Sequence, residues 1–249
     1  MRRVIVTLSS GALAGLAGEL AGDGITVEEC PLLRFEPPAD WRRLDRALAA
    51  LDRYRAVAFT SPRAAEAVAT RWRDLGLHHG GTAPAVWATG VATAAPLGDL
   101  FGAVRIPPEH EGSSRAGGAG AALAEAILAA GNGSPVLYPC GAVRREELTR
   151  RLTQAGIVVD EVICYRSVLA PPAVARDAAG RADVLVVGSP RVAELLAAAC
   201  PAGRRPRLLA VGPTTGGASK DSGWLPDAEA SRPTVGELVK QLRLLLPDR

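Results

Sequence analysis

Two short segments carry the same residue types in the same order. Phe59-Thr60-Ser61-Pro62-Arg63-Ala64 is matched 128 positions later by Val187-Gly188-Ser189-Pro190-Arg191-Val192. Each is followed by a second related segment, Trp87-Ala88-Thr89-Gly90-Val91-Ala92-Thr93 in the first copy and Ala210-Val211-Gly212-Pro213-Thr214-Thr215 in the second. Ser caps a helix well, and Pro suits the first helical position, so Ser-Pro-Arg reads as a helix start that needs no ligand. The same start also leaves backbone N–H groups open at the positive end of the helix dipole, which favours an anion. Arg63 and Arg191 either assist there or stand in solvent. Gly212-Pro213-Thr214-Thr215 has the same two readings: turn chemistry, or adjacent hydroxyls and open N–H groups for a carboxylate. Two motifs recurring in one order point to an internal duplication.

Other segments narrow the chemistry. Pro139-Cys140-Gly141 precedes Arg144 and Arg145. A thiol at a helix N-terminus is acidified and becomes a nucleophile, but no His lies near Cys140 in sequence, and His78, His79 and His110 fall in loop-like stretches. A small residue at a tight turn is the preferred reading. Tyr165 ends Val162-Ile163-Cys164-Tyr165. It reads as a strand tyrosine that packs its ring and wets its hydroxyl, or as a phenol that donates a hydrogen bond into a cleft. There is no GxSxG, GxxxxGK[ST] or HExxH. Gly118-Ala119-Gly120 lacks the third glycine of a dinucleotide fingerprint, and acidic residues are not clustered as a metal site requires.

These segments need a scaffold. Short β-branched runs at 4–7, 25–27, 56–60, 85–88, 103–106, 135–138, 157–165, 184–187 and 208–211 alternate with Ala/Leu segments at helical spacing. That alternation predicts βαβ units on parallel sheets, with ligands beyond the C-terminal strand ends. Leu13, Leu16 and Leu20 predict a helix face. Thr234-Val235-Gly236-Glu237 predicts a capping box, with Leu238, Val239, Leu242 and Leu245 as the apolar face of a helix that closes a sheet. Pro37-Pro38 and Pro171-Pro172 sit outside helices and central strands. Read as crossovers, they make residues 39–170 an inserted α/β domain and join 1–36 to 173–249 as a discontinuous one, each with about five strands. Pro107-Pro108 opens a polar loop, 107–118, inside the inserted domain, and whether it is a lid stays open.

Composition excludes several classes. The 249 residues carry 29 basic and 26 acidic side chains and are 48% hydrophobic, so disorder, collagen and coiled coil are out. Only Lys220 and Lys240 are lysines. The arginines are scattered among acids and the aromatics reach only 4%, so nucleic acid is not the expected partner. The N-terminal apolar run, Val4 to Val6, is too short for a signal-peptide core, and no stretch suits a membrane span. Cys30, Cys140, Cys164 and Cys200 form no CxxC, so the compartment is read from the N-terminus, and a cytoplasmic protein with reduced thiols is the expectation.

Together, Phe59 to Ala64, Pro139-Cys140-Gly141 with Arg144-Arg145-Glu146, Val162 to Tyr165, Ser189-Pro190 and Val211 to Thr215 resemble the uroporphyrinogen-III synthase family through nearly the whole chain. The resemblance implies two similar parallel-sheet, flavodoxin-like α/β domains, one discontinuous, joined by a two-stranded connection. Separately, nothing in the sequence suggests more than a monomer. The resemblance implies that no metal or organic cofactor is used. It also implies a substrate, hydroxymethylbilane, a linear tetrapyrrole with eight carboxylates. The family closes this chain into uroporphyrinogen III, inverts the last pyrrole ring and releases water. In the family's scheme, loss of the terminal hydroxyl leaves an azafulvene-type cation. The last ring attacks through its substituted carbon and reopens inverted by way of a spiro intermediate.

For Tyr165 the resemblance implies a catalytic role, as hydrogen-bond donor to the leaving hydroxyl. Ser61, Arg63, Thr93, Gly141, Arg145, Ser189, Gly212, Thr214 and Thr215 are the expected substrate contacts. The bilane also cyclises unaided without inversion, so the protein's task is largely to fold the substrate. One departure stands out: where members often carry Arg-Pro after the first strand's Thr, Thr7 is followed here by Leu8-Ser9-Ser10-Gly11. The rival readings are a non-catalytic binder of a small polyanion, a transferase for a phosphorylated substrate, and a regulatory relative of the synthases.

Overall fold

Four-residue runs such as Ala56–Phe59 and Val184–Val187 are too short for a helix and apolar at every position. They are buried throughout, which a strand achieves at the centre of a parallel sheet covered on both faces. In the computed structural model, which describes residues 2–78, 83–107, 118–131 and 133–247, such runs form two sheets. The first half of the chain contributes β1 (Arg2–Val6), α1 (Leu16–Leu20), β2 (Ile25–Glu29), β3 (Leu33–Glu36), α2 (Arg42–Ala49), β4 (Ala56–Phe59), α3 (Pro62–Asp74), β5 (Ala85–Ala88), α4 (Val91–Ala94), α5 (Gly98–Phe101), β6 (Val104–Arg105) and α6 (Gly118–Ala129). There follow β7 (Val136–Gly141), α7 (Glu147–Gln154), β8 (Val159–Leu169), α8 (Pro172–Arg181), β9 (Val184–Val187), α9 (Pro190–Ala199), β10 (Arg207–Val211), α10 (Pro213–Asp221), β11 (Ala228–Ala230) and α11 (Val235–Leu245).

The chain divides into two compact units, Met1–Arg34 with Val168–Arg249, and Phe35–Ser167. The chain passes from one unit to the other within β3 and again within β8, just ahead of the proline pairs at 37–38 and 171–172. In the discontinuous unit the strand order is β11-β10-β9-β1-β2, with every one of these pairings parallel. Counted along the chain, that is the flavodoxin-like order 2-1-3-4-5. The continuous unit has the order β3-β8-β7-β4-β5-β6, and its ladders from β8 to β6 are parallel. Placed side by side, β4 and β9 occupy the same sheet position and each leads into Ser-Pro-Arg. β5 and β10 occupy the next position and lead into the Gly/Thr segments. β7 and β8 stand where β1 and β2 stand. The two units therefore share one spatial plan, with the two edge-side strands supplied from opposite ends of the segment.

Each sheet is sandwiched by two apolar clusters. Around the discontinuous unit these are centred on Val4, Leu16, Val186 and Leu242 on one face and on Ile5, Leu185, Leu196 and Trp224 on the other. In the continuous unit they centre on Phe59, Val68, Trp72 and Leu137, and on Ala58, Trp87, Ile127 and Leu148.

Three local expectations need correction. The Leu13–Leu20 helix is only α1, because Gly11 and Gly15 have φ of 74° and 93° and hold the preceding segment in turns. All three leucines are nevertheless buried. Pro139-Cys140-Gly141 is not a turn but the end of β7. Pro139 is tolerated there because the ladder with β4 ends at Leu137, so its missing N–H breaks no bond on that side. Finally, Thr234 caps α11 by accepting from the Glu237 N–H at 3.4 Å, while Glu237 Oε1 accepts from Gln241 Nε2 at 3.1 Å, so among the described residues half of the capping box forms. Thr234→Ala should cost roughly 0.5–1 kcal/mol, the low end for a cap, given that length. Urea unfolding checks this, and an unchanged midpoint would show that the cap contributes nothing.

The loop at 108–117, together with His79 and His110, lies outside the described residues. Among those described, no helix is long and apolar enough to cross a membrane, and no three His, Cys, Asp or Glu side chains gather as a metal site.

Candidate functional site

In open parallel sheets the ligand crevice lies beyond the carboxyl ends of the strands, where the direction of winding reverses. In the continuous unit that reversal is between β4 and β7. A cavity of about 290 Å³ lies there, lined by Thr60, Ser61, Gly141, Arg145 and Tyr165 among others. Three helix starts border it: Ser61 at α3, Ala119 and Gly120 at α6, and Glu147 and Leu148 at α7. Their open N–H groups favour an anion.

Tyr165 reaches this cavity through a bulge. Cys140 is in register with Ile163, but Gly141 is in register with Tyr165, so Cys164 is the extra residue in β8. Neighbours in a regular strand point to opposite faces. Here Cys164 and Tyr165 both pack against the same apolar cluster, on the α3 side. The Cys164 thiol fixes the bulge, donating to the Cys140 carbonyl at 3.4 Å, and burial pushes its pKa up. The Tyr165 phenol then closes on Gly141, where an added Cβ would stand 2.7 Å from Cζ and 2.8 Å from Oη. Its oxygen is 3.3 Å from Ser61 Oγ, and Phe35 meets its ring edge-on at 5.8 Å.

Ser61 does what its position as a cap requires, accepting from the Arg63 N–H at 3.2 Å. Arg63 itself turns away from the cavity. Its guanidinium stacks 4.9 Å from the Phe35 ring and pairs with Glu66 at 3.2 Å, lining a second groove on the other side of Tyr165. Thr93 is 4% exposed, with Oγ1 3.4 Å from Thr89 Oγ1, and Thr89 is the one of the two that lines the cavity.

The two arginines differ. Arg144 is paired with Glu161, which also accepts from Thr149 at 2.5 Å. The Arg144 bond holds the Glu161 carboxyl below its usual range. Arg145 lies at the cavity with Nη1 3.7 Å from where a Gly118 Cβ would stand, and no acidic partner faces it among the described residues. Cys140 is buried, and burial pushes its thiol up to about 11, which removes it as a nucleophile.

The discontinuous unit holds the remaining candidates. Ser189 begins α9 without using its side chain as a cap. Gly212 begins α10 at φ 85°, a conformation only glycine takes easily. Thr214 is exposed, whereas Thr215 is buried at 3% exposure. In the loop that departs from Arg-Pro, Leu8 packs against Gly188, and the Gly11 N–H is held by Glu29 at 3.1 Å. Sequence reasoning passed over Thr60, Thr89, Tyr138 and Arg144, which all line the cavity. The signal for the first two was their place directly after β4 and β5.

An open parallel sheet with hydroxyls, the Arg145 guanidinium and helix starts at its winding reversal defines a doubly wound α/β protein. Comparison with known proteins gives the family. A model described as uroporphyrinogen-III synthase HemD matches residues 14–240, and the chain belongs to the uroporphyrinogen-III synthase family. A uroporphyrinogen-III synthase of Synechococcus elongatus is 30% identical over 175 residues, which are 67% of this chain and 61% of that protein, so the match spans under two thirds of the relative's length. In fold, the chain is similar to a mutant uroporphyrinogen III synthase from the extreme thermophile Thermus thermophilus (TM-score 0.65, 17% identity, 100% of both chains). It is also similar to the uroporphyrinogen-III synthetase of Helicobacter pylori (TM-score 0.61, 17% identity, 99% of this chain and 100% of that one).

Proposed function

We propose that this chain cyclises hydroxymethylbilane to uroporphyrinogen III, inverting the last pyrrole ring and releasing water, as a step of tetrapyrrole biosynthesis. The observation that carries this reading is the Tyr165 phenol, held by Ser61, Gly141 and the Cys164 bulge at a cavity lined with anion-binding groups, in a member of this family. Loss of the terminal hydroxyl needs one proton or a strong hydrogen bond at that oxygen. With Ser61 donating to Tyr165 Oη, the phenol's own proton faces the cavity and serves the leaving group. The proton is recovered when the new ring regains aromaticity, so substrate balances product plus water.

Arg145 and the starts of α3, α6 and α7 hold substrate carboxylates in this unit. Ser189, Gly212 and Thr214 are a second set of contacts in the discontinuous unit. Arg63 and the buried Thr93 and Thr215 act on the shape of their loops. The corresponding sheet positions of β4 and β9 and of β5 and β10 support the duplicated origin of the two units.

The test feeds freshly made hydroxymethylbilane to the purified protein and separates the oxidised products into type I and type III isomers. Type III at a rate proportional to protein is expected. Type I alone, at the uncatalysed rate, overturns the reading and leaves a polyanion binder in its place.

A further inference from the structure

Two consecutive residues directly after β4, Thr60 and Ser61, each meet a tyrosine, Thr60 one from the adjacent strand β7 and Ser61 one from β8, the strand beyond it. Ser61 Oγ is 3.3 Å from Tyr165 Oη, and Thr60 Oγ1 is 2.8 Å from Tyr138 Oη. The pairs differ in the burial of the tyrosine. Tyr165 and Ser61 are both half-buried, and both line the cavity. Tyr138 is only 2% exposed, on the central strand β7, and Thr60 is the member nearer solvent.

We propose that Thr60 is a further substrate-contacting hydroxyl, which donates its proton to a substrate carboxylate, and that Tyr138 is a positioning residue that turns it outward. A buried phenol keeps its proton and must place it. Burial pushes Tyr138 up to about 12, so the proton is present at any working pH. Among the described residues its partner is Thr60; the 2.8 Å contact suits either direction, and the role assigned to Tyr138 is that of donor, with Thr60 Oγ1 accepting. The Thr60 hydroxyl has one proton of its own, and the side chain lines the cavity. With its inward lone pair occupied, that proton is directed into the cavity.

Ser61 is committed differently. Its oxygen accepts from the Arg63 N–H, and its proton goes to Tyr165. The neighbouring hydroxyls therefore divide the work: Ser61 orients the phenol that meets the leaving group, and Thr60 meets the ligand itself. This assignment rests on the polycarboxylate substrate proposed above.

The test is steady-state kinetics on freshly made hydroxymethylbilane, with anaerobic calorimetry of uroporphyrinogen III binding as a readout independent of turnover. Thr60→Val should raise KM and Kd about ten- to a hundredfold, the loss of a hydrogen bond to a charged group, with kcat within about threefold. Thr60→Ser, which keeps the hydroxyl, should restore both to within about threefold. Tyr138→Phe should raise both several-fold. The Thr60→Val/Tyr138→Phe double variant should be no worse than Thr60→Val, because the pair acts as a unit. Unchanged KM and Kd in Thr60→Val, failure of Thr60→Ser to restore them, or multiplying effects in the double variant would overturn the proposal. A wild-type protein that binds uroporphyrinogen III through Thr60 but makes no type III isomer would sink the enzymatic reading alone. A wild-type protein that neither binds nor turns over sinks both.

Discussion

Tyr165→Phe should lower the rate of type III formation by roughly 10²–10⁴-fold, the usual contribution of a positioned proton donor, while the protein remains folded. The substitution removes one oxygen from a half-buried ring. The ring keeps its contact with Gly141, its edge-on partner Phe35 and its apolar surroundings. What is lost structurally is a 3.3 Å hydrogen bond with Ser61, worth roughly 0.5–1.5 kcal/mol. The cavity walls, and with them the carboxylate contacts, stay in place, so KM should change little and the loss should fall on kcat. Because the bilane closes unaided without inversion, bilane that escapes turnover should appear as the type I isomer, and the III-to-I ratio should fall in step with kcat. Turnover within threefold of the wild type, with an unchanged isomer ratio, would remove Tyr165 from the chemistry.

Much of the scaffold that positions this tyrosine is legible in the residues. Apolar four-residue runs give the central strands, because only a strand buried on both faces can be apolar at every position. Ser61 and Pro62 mark the start of α3, because the cap and the ring geometry leave few alternatives there. The recurrence of Ser-Pro-Arg and of the Gly/Thr segments matches the shared sheet positions of β4 with β9 and of β5 with β10. Strands β3 and β11 left no such mark. Leu33–Glu36 carries two charges, and Ala228–Ala230 has no β-branched residue, so both are strands by virtue of the neighbour they pair with.

The candidate site is less legible, for a related reason. Its parts meet across strands rather than along the chain. That Tyr138 finds Thr60, or that Arg63 turns to Phe35 and Glu66 while Arg145 stays at the cavity, depends on which strands are adjacent and in what register. The bulge at Cys164 is the clearest instance. Val162-Ile163-Cys164-Tyr165 reads as regular alternation, which would send Cys164 and Tyr165 to opposite faces. Only the slip against Cys140 and Gly141 brings both to one face.

That slip makes Gly141 the site's most exacting position, and Gly141→Ala should cost nearly as much activity as the loss of the phenol oxygen. The backbone of Gly141 lies outside the left-handed region that would favour glycine, so alanine is sterically acceptable to the chain itself. The obstacle is Tyr165. A Cβ at 2.7 Å from Cζ, 2.8 Å from Oη and 2.9 Å from Cε2 is closer than carbon atoms pack. The backbones cannot part to relieve it, because Gly141 and Tyr165 are ladder partners and the Ala142 N–H donates to the Tyr165 carbonyl at 3.0 Å. The ring must therefore swing, and its oxygen leaves both Ser61 and the leaving group. A displacement of about 1 Å at a reacting group costs on the order of 10²-fold in rate, so kcat should fall by that factor. The overpacking should also lower stability by roughly 1–3 kcal/mol, read by urea unfolding.

The decisive comparison is the double variant. If alanine acts only by moving the phenol, Gly141→Ala should cost little further activity in a Tyr165→Phe background, although the ring carbons still clash and the stability loss persists. If Gly141 instead serves the substrate directly, the two activity losses should multiply, and Gly141→Ala alone should raise KM rather than lower kcat.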